Sequence, residues 1–254
     1  MLHALILGII EGITEFLPIS STGHLILAGQ LLGVADSAFQ KSFDIIIQLG
    51  AILAVVVLYW RSFLDMEISK RIAVAFVPTG IIGLAFYKIV KTYLLGNVSV
   101  VLWALAIGGL ALILLELWHH EKDDAIEDIR RLSYGKAATI GCFQALSIIP
   151  GTSRSAATIV GGLLLGMRRT AIVEFSFLLA VPTMVAASGL DIIKNASAFS
   201  GVDFSALAVG FTVSFIVALA SIKWLLGYVR SHTFTLFGMY RIVVAAAFFL
   251  FVVR

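Results

Sequence analysis

Glu11-Gly12-Ile13-Thr14-Glu15-Phe16-Leu17-Pro18-Ile19-Ser20-Ser21-Thr22-Gly23-His24 decides the fold, together with a second stretch, Pro150-Gly151-Thr152-Ser153-Arg154-Ser155. Each contains a proline- and hydroxyl-rich knot set between two apolar arms. The arms are 2–17 and 22–35 around the first knot, and 137–149 and 156–167 around the second. A spanning helix needs about 20 apolar residues, whereas runs of roughly 10–14 suit re-entrant segments. Two such arms about a breaker therefore read as a helix–loop–helix hairpin that enters the membrane and returns. Outward from the knots lie six longer apolar stretches, at 43–60, 72–90, 98–118, 172–193, 205–226 and 234–253. The order is a hairpin and three spans, twice over.

Composition agrees with a chain dissolved in lipid. Apolar residues make up 60% of 254 and charged residues 13%, against about 45–50% and about 25% in soluble domains. The fold class predicted is an all-α integral membrane protein with six transmembrane helices and two re-entrant hairpins. It forms a single membrane domain over 1–254, with halves of approximately 1–118 and 137–254 joined by a charged loop, 119–136. An ungapped offset of 132 residues relates Pro18 to Pro150, Ser21 to Ser153 and Phe43 to Phe175. An odd number of spans in each half inverts the second half relative to the first. The two hairpins then enter from opposite faces and their tips can meet near the midplane.

Charge is used for orientation here. The net charge is +3, and the basic residues sit mostly in short loops, which excludes a nucleic-acid surface as the main reading. One face carries five (Lys41, Lys88, Lys91, Lys194, Arg254) and the other ten, among them Arg61, Arg71, Arg130, Lys136 and Arg169. The richer face is expected to be cytoplasmic, so the first hairpin opens outward. The apolar start is interrupted by Glu11 and Glu15, so a cleaved signal peptide is not expected. Cys142 is the only cysteine, which excludes an intrachain disulfide.

The polar residues of the short arms carry the chemistry. Glu11 and Glu15 are four apart and share one helix face. An ionisable group at bilayer depth costs about 2.5–3.5 kcal/mol on insertion scales and usually marks a site. The plainer reading lays the arm at the interface with both carboxylates wetted. After Pro18, the hydroxyls Ser20, Ser21 and Thr22 stand at a helix start, where free backbone N–H groups suit phosphate. Ser20 alone reads best as a helix cap. Ser21 offers a nucleophile, with Glu15 or His24 as base; attack by water or by His24 itself stays open. Arg154 supplies a planar fork for phosphate oxygens, flanked by Ser153, Ser155 and Thr158, and it could equally pair with a glutamate. Gln48 fits a site position and an interhelical contact equally well. Arg241, inside the last stretch, reads as a structural partner. His119-His120 and the charged run 121–131 read as a solvated linker without metal-ligand spacing.

Both knots, together with Phe43-Asp44, Gln48-Leu49-Gly50-Ala51 and Glu174-Phe175-Ser176, resemble the undecaprenyl-diphosphate phosphatases of the bacitracin-resistance protein family over nearly the whole chain. The resemblance implies removal of the terminal phosphate of undecaprenyl diphosphate, which regenerates the monophosphate carrier for cell-wall synthesis. It further implies a divalent cation (Mg2+ or Ca2+), an inverted-repeat fold, and a bacterial cytoplasmic membrane location with the site reached from outside. Its implied functional positions are Glu11, Glu15, Ser20, Ser21, Thr22, His24, Ser153, Arg154, Ser155 and Thr158. In the resulting expectation Ser21, His24, Glu15 and Arg154 are catalytic, and Glu11 and Glu15 hold the cation. Ser20, Thr22, Ser153, Ser155, Thr158 and Gln48 contact the substrate. Membrane lipids are partners and a homodimer is left open. The rival reading is a polyprenyl-phosphate flippase or transporter, since broken helices in inverted repeats are transporter architecture. A faint similarity to type-2 phosphatidic acid phosphatases fails, because 155–167 lacks their His–Asp pair and no Arg-Pro occurs.

Overall fold

A computed structural model describes residues 1–34, 38–94, 97–194 and 204–253. Among them the secondary structure is helical, with one isolated bridge, Ile126 to Met167. The first half contains α1 (Leu2–Thr14), α2 (Ser21–Leu31), α3 (Ala38–Leu64), α4 (Met66–Ile89) and α5 (Val98–Trp118). The second contains α6 (Tyr134–Ala145), α7 (Arg154–Leu164), α8 (Arg169–Lys194), α9 (Phe204–Tyr228) and α10 (Thr235–Phe248). Five segments are long and apolar enough to cross a membrane: Ser42–Leu64, Met66–Ile89, Val98–Trp118, Arg169–Leu190 and Phe204–Tyr228. The sixth stretch, 234–253, forms the shorter apolar helix Thr235–Phe251. The four short arms appear as α1, α2, α6 and α7, each pair broken at its knot.

Lipid-type surface is plain on the outside. Trp103, Leu84, Ile107 and Phe204 are exposed, an arrangement that water would punish and a bilayer would not. Inside, helices pack through small residues. α1 lies on α9, and a Cβ on Gly12 would stand 2.7 Å from the Ser214 carbonyl oxygen. α5 lies on α10 through Gly109 and Gly238, where a Cβ on either would come within 2.6 or 2.7 Å of the other's carbonyl oxygen. Without water to drive burial, such close backbone approach supplies the packing energy between membrane helices. The pairing pattern is reciprocal: α1 packs on α9, the fourth helix of the second half, and α6 packs on α4, the fourth helix of the first.

The two tips are built alike, but one residue out of the register read from the prolines. Ser20 (φ 74°) caps α2 by accepting from Gly23 N, and Ser153 (φ 71°) caps α7 by accepting from Ala156 N. Both are non-glycine residues in a sparsely populated backbone region, which costs about 1–3 kcal/mol each. Gly33 and Gly166 end the same helices with positive φ. Both pairs are separated by 133 residues, so Ser153 matches Ser20, not Ser21. The second tip thus holds one residue more, with Gly151 at φ 92°, where a Cβ would lie 2.6 Å from the Val101 carbonyl oxygen. Only glycine fits there.

The linker 119–136 is docked more closely than its charge implied. Ile126 N donates to Gly166 O, Arg168 N donates to Ile126 O, and Ile129 and Leu132 are buried. Arg168 pairs with Glu127, and Arg169 pairs with Glu121 and, at 2.5 Å, with Glu116 of α5.

Candidate active site

The tips of the two hairpins meet, and their polar residues face each other across the contact. Ser21 Oγ donates to Glu15 Oε2 at 2.5 Å. Arg154 Nη2 donates to Glu15 Oε1 at 3.0 Å, and its Nη1 donates to the Ser176 carbonyl at 3.0 Å. Glu15 is thus held between a hydroxyl of its own hairpin and a guanidinium of the other. The pair is deeply buried, with side-chain exposures of 9% for Arg154 and 5% for Glu15. Phe16 flanks it, its ring 6.0 Å from the Arg154 guanidinium carbon. A second tie crosses the tips where Ser155 Oγ donates to Phe16 O at 2.9 Å.

Sequence and local structure explain these placements. Glu11 and Glu15 lie one turn apart at the end of α1, which Pro18 and the knot terminate. Ser21 and Arg154 are the first residues of α2 and α7, so their side chains stand beside first-turn backbone N–H groups that lack intrahelical acceptors. That is the setting in which helices bind phosphate. Arg154 Nε is buried without a hydrogen-bond partner among the described residues, which leaves a fork donor available to an anion.

Glu11 is fully buried, and both its carboxylate oxygens lack a hydrogen-bond partner among the described residues. The charged groups acting on it are Glu15, Asp44 and Arg154. Burying such a group unpaired is expensive, and carboxylate oxygens are the donors that a hard cation takes. No cluster of three or more His, Cys, Asp or Glu able to hold a metal occurs among the described residues. Glu11 and Glu15 are the carboxylates present for a cation such as Mg2+, which commonly takes one or two.

The other expected residues divide. Ser20 and Ser153 are the caps described above. Thr158 Oγ1 lies 2.6 Å from Ser176 Oγ, tying α7 to α8. Thr22 is exposed and Gln48 half-buried on α3; neither joins the Ser21–Glu15–Arg154 chain through a side-chain hydrogen bond. His24, one turn after Ser21 on α2, has Nδ1 2.7 Å from Ser20 O and Nε2 2.9 Å from the Tyr240 hydroxyl. Ser176 and Tyr240 carry contacts that the sequence reading did not single out.

Arg241 is fully buried and takes the structural role expected of it. It donates to Pro18 O in the first tip, to Gly151 O and Thr152 O in the second, and to Ala104 O and Leu105 O on α5. One guanidinium thereby fixes both tips to α5 and α10. Beside the second tip runs an apolar groove of about 520 Å³, lined by Trp103, Ala104, Ile107, Thr152, Ala157 and Val160.

Comparison with known proteins gives a consistent result. The family model described as Bacitracin resistance protein BacA matches residues 4–247. Proteins named undecaprenyl-diphosphatase are similar to the chain over almost its full length. That of Sulfurihydrogenibium sp. is 54% identical over 249 residues, covering 98% of each chain. That of Aquifex aeolicus is 52% identical, again over 98% of each. The Wolinella succinogenes protein is 50% identical, over 97% of this chain and 96% of its own.

Proposed function

The chain belongs to the bacitracin resistance protein family, and from that premise we propose that it is a membrane undecaprenyl-diphosphatase. It hydrolyses undecaprenyl diphosphate to undecaprenyl phosphate and inorganic phosphate, recycling the lipid carrier for cell-wall synthesis and conferring bacitracin resistance. The observation that carries this reading is the buried chain from Ser21 through Glu15 to Arg154, made at 2.5 and 3.0 Å across the two tips. It joins a nucleophile, a base and a phosphate-binding fork, the parts that phosphoryl transfer requires.

In this mechanism the diphosphate enters between the tips, and its terminal phosphate takes up the free donors of Arg154 and the first-turn N–H groups of α2 and α7. Ser21 Oγ attacks the terminal phosphorus while its proton passes to Glu15. The bond to the bridging oxygen breaks, and undecaprenyl phosphate leaves with the bonding pair. Water then hydrolyses the phosphoserine. Arg154 counters the charge developing on the equatorial oxygens, which is where most catalysis in this class arises. Glu11 and Glu15 would hold the divalent cation, which when bound neutralises diphosphate charge. The isoprenoid tail lies along the apolar groove beside the second tip.

The finer architecture belongs to the same proposal: six spans, two re-entrant hairpins, and halves inverted in the cytoplasmic membrane, with the site open to the outside. The reciprocal packing of α1 on α9 and α6 on α4 supports it, as does the excess of basic residues on the face assigned to the cytoplasm. Phosphate release from undecaprenyl diphosphate by purified protein in detergent is the deciding experiment. No gradient exists there, so a pure flippase or transporter would release none.

A further inference from the structure

Ser21 already has a proton acceptor in Glu15, so His24 is not needed for the first step. Its surroundings point to a different task. His24 Nδ1 is 2.7 Å from the Ser20 carbonyl oxygen. A carbonyl only accepts, so Nδ1 carries the hydrogen, and in the neutral ring Nε2 holds the lone pair. Nε2 is 2.9 Å from the Tyr240 hydroxyl, which must then be its donor. The two rings stack with centroids 5.6 Å apart and planes 6° apart. His24 can therefore gain a proton only at the nitrogen that Tyr240 covers.

Tyr240 is well placed to connect that nitrogen to the site. Its hydroxyl meets His24 Nε2, and His24 stands one turn after Ser21 on α2, so the pair adjoins the nucleophile's helix face. Its chain neighbour Arg241 is fully buried and donates to Pro18 O, Gly151 O and Thr152 O. The α10 segment that bears the phenol is thus pinned to both tips, and the hydroxyl cannot drift relative to Ser20 and His24.

We propose that Tyr240 and His24 form the proton relay for the water that hydrolyses the phosphorylated enzyme, with Tyr240 the group that touches the water. This rests on the phosphatase reading with Ser21 as nucleophile. The water oxygen attacks the phosphorus of phosphoserine-21, and its proton passes to the Tyr240 oxygen as the phenolic proton passes to His24 Nε2. The bond from phosphorus to Ser21 Oγ breaks. Oγ recovers the proton that Glu15 took in the first step, inorganic phosphate departs, and His24 returns its proton to solvent.

Tyr240→Phe keeps the stacked ring and removes only the hydroxyl. In rapid-mixing experiments on the purified protein it should release undecaprenyl phosphate in a first turnover at close to the wild-type rate. Steady-state phosphate release should then fall by roughly 10²–10⁴-fold, the usual range for a lost general acid–base group. Acid quench should trap more phosphoserine than in the wild type. His24→Gln should behave alike, and the double variant should be no slower than either single, because the two act as a unit. Steady-state rates within about tenfold of wild type, equal slowing of both phases, or multiplying losses in the double variant would each overturn the relay. ¹⁵N resonances of the imidazole give an independent reading. Nε2 of His24 should shift in Tyr240→Phe while Nδ1 stays protonated, and an unmoved Nε2 would also overturn it. Absence of any phosphate release by the wild type would instead sink the phosphatase reading. Wild-type turnover without phosphoserine in either protein would sink the covalent step and the relay with it.

Discussion

Glu15→Gln separates chemistry from stability at the centre of the site. The glutamate accepts from Ser21 Oγ at 2.5 Å and from Arg154 Nη2 at 3.0 Å, in a pair almost wholly buried. Removing one partner of a buried ion pair costs about 3–5 kcal/mol when nothing replaces it. Here the amide oxygen can still accept from Arg154, and a hydrogen bond to a charged group retains about 1.5–3 kcal/mol. The expected destabilisation is the difference, on the order of 2 kcal/mol. The chemical loss should be larger. Without a general base for Ser21, turnover should fall by roughly 10²–10⁴-fold, equivalent to about 3–5 kcal/mol at 1.36 kcal/mol per tenfold. The assay is steady-state phosphate release at saturating substrate, scaled to the folded fraction measured by thermal unfolding in the same detergent. Repeating it in a Ser21→Ala background tests the pairing, since the part of the Glu15→Gln loss that runs through Ser21 should then vanish. Turnover within tenfold of wild type, or full additivity with Ser21→Ala, would refute Glu15 as the base of Ser21.

Further outcomes follow from the same geometry. Ser21→Ala should cut turnover to a small residual rate and abolish phosphoserine trapping while leaving substrate affinity largely intact; a loss of only about 10²–10³-fold, with no phosphoserine in the wild type, would reassign it as a hydrogen-bond donor. Arg154→Lys keeps the charge but not the fork, and should cripple turnover in correctly inserted protein; near-normal activity would remove Arg154 from phosphate binding. Arg241→Met strands the buried carbonyls of Pro18, Gly151 and Thr152, so thermal unfolding should reveal a loss of at least about 3 kcal/mol at roughly 1–3 per group. Cysteine labelling should reach 36–42 and 194–204 from outside, and 119–136 only after the membrane is opened. The reverse pattern would invert the orientation.

What was legible in the sequence is what local chemistry dictates. Pro78 and Pro182 lie inside α4 and α8, but Pro18 and Pro150 stand beside hydroxyls that cap the helix that follows, so the broken arms could be read directly. Glu11, Glu15 and Arg154 stood out because charge is rare in apolar runs. The one-residue slip between the tips was hidden, because the prolines match at 132 residues while the caps match at 133. Only the backbone places the caps at Ser20 and Ser153, so that the second tip holds one residue more, with Gly151 squeezed against Val101 O at positive φ. Tyr240 was invisible for another reason. It is one aromatic residue among many in an apolar helix, and its link to His24 spans 216 positions. The partners of Arg241 were equally out of reach, although its charge inside an apolar stretch did mark it as needing some.

The buried polar atoms left without partners explain why such a site waits for its substrate. Among the described residues, both oxygens of Glu11 on the first hairpin and Arg154 Nε on the second have no hydrogen-bond partner. Under the proposed mechanism these atoms suit a cation on one side and an anion on the other. Closing the tips further would not cure either, because Glu15 already occupies the guanidinium edge that faces it. Under that proposal a diphosphate with a divalent cation would supply both charges at once, with Glu11 holding the cation and Arg154 the phosphate oxygens. Neither free phosphate alone nor metal alone satisfies both hairpins. Binding should therefore be cooperative between cation and diphosphate, each raising the affinity for the other by the same factor, as linkage requires. Titrating Mg2+ affinity with and without a non-hydrolysable diphosphate analogue measures that factor. A factor of one would mean that the two groups bind without sharing the site. In Glu11→Gln the factor should collapse toward one while analogue binding at zero metal persists, because Arg154 is untouched.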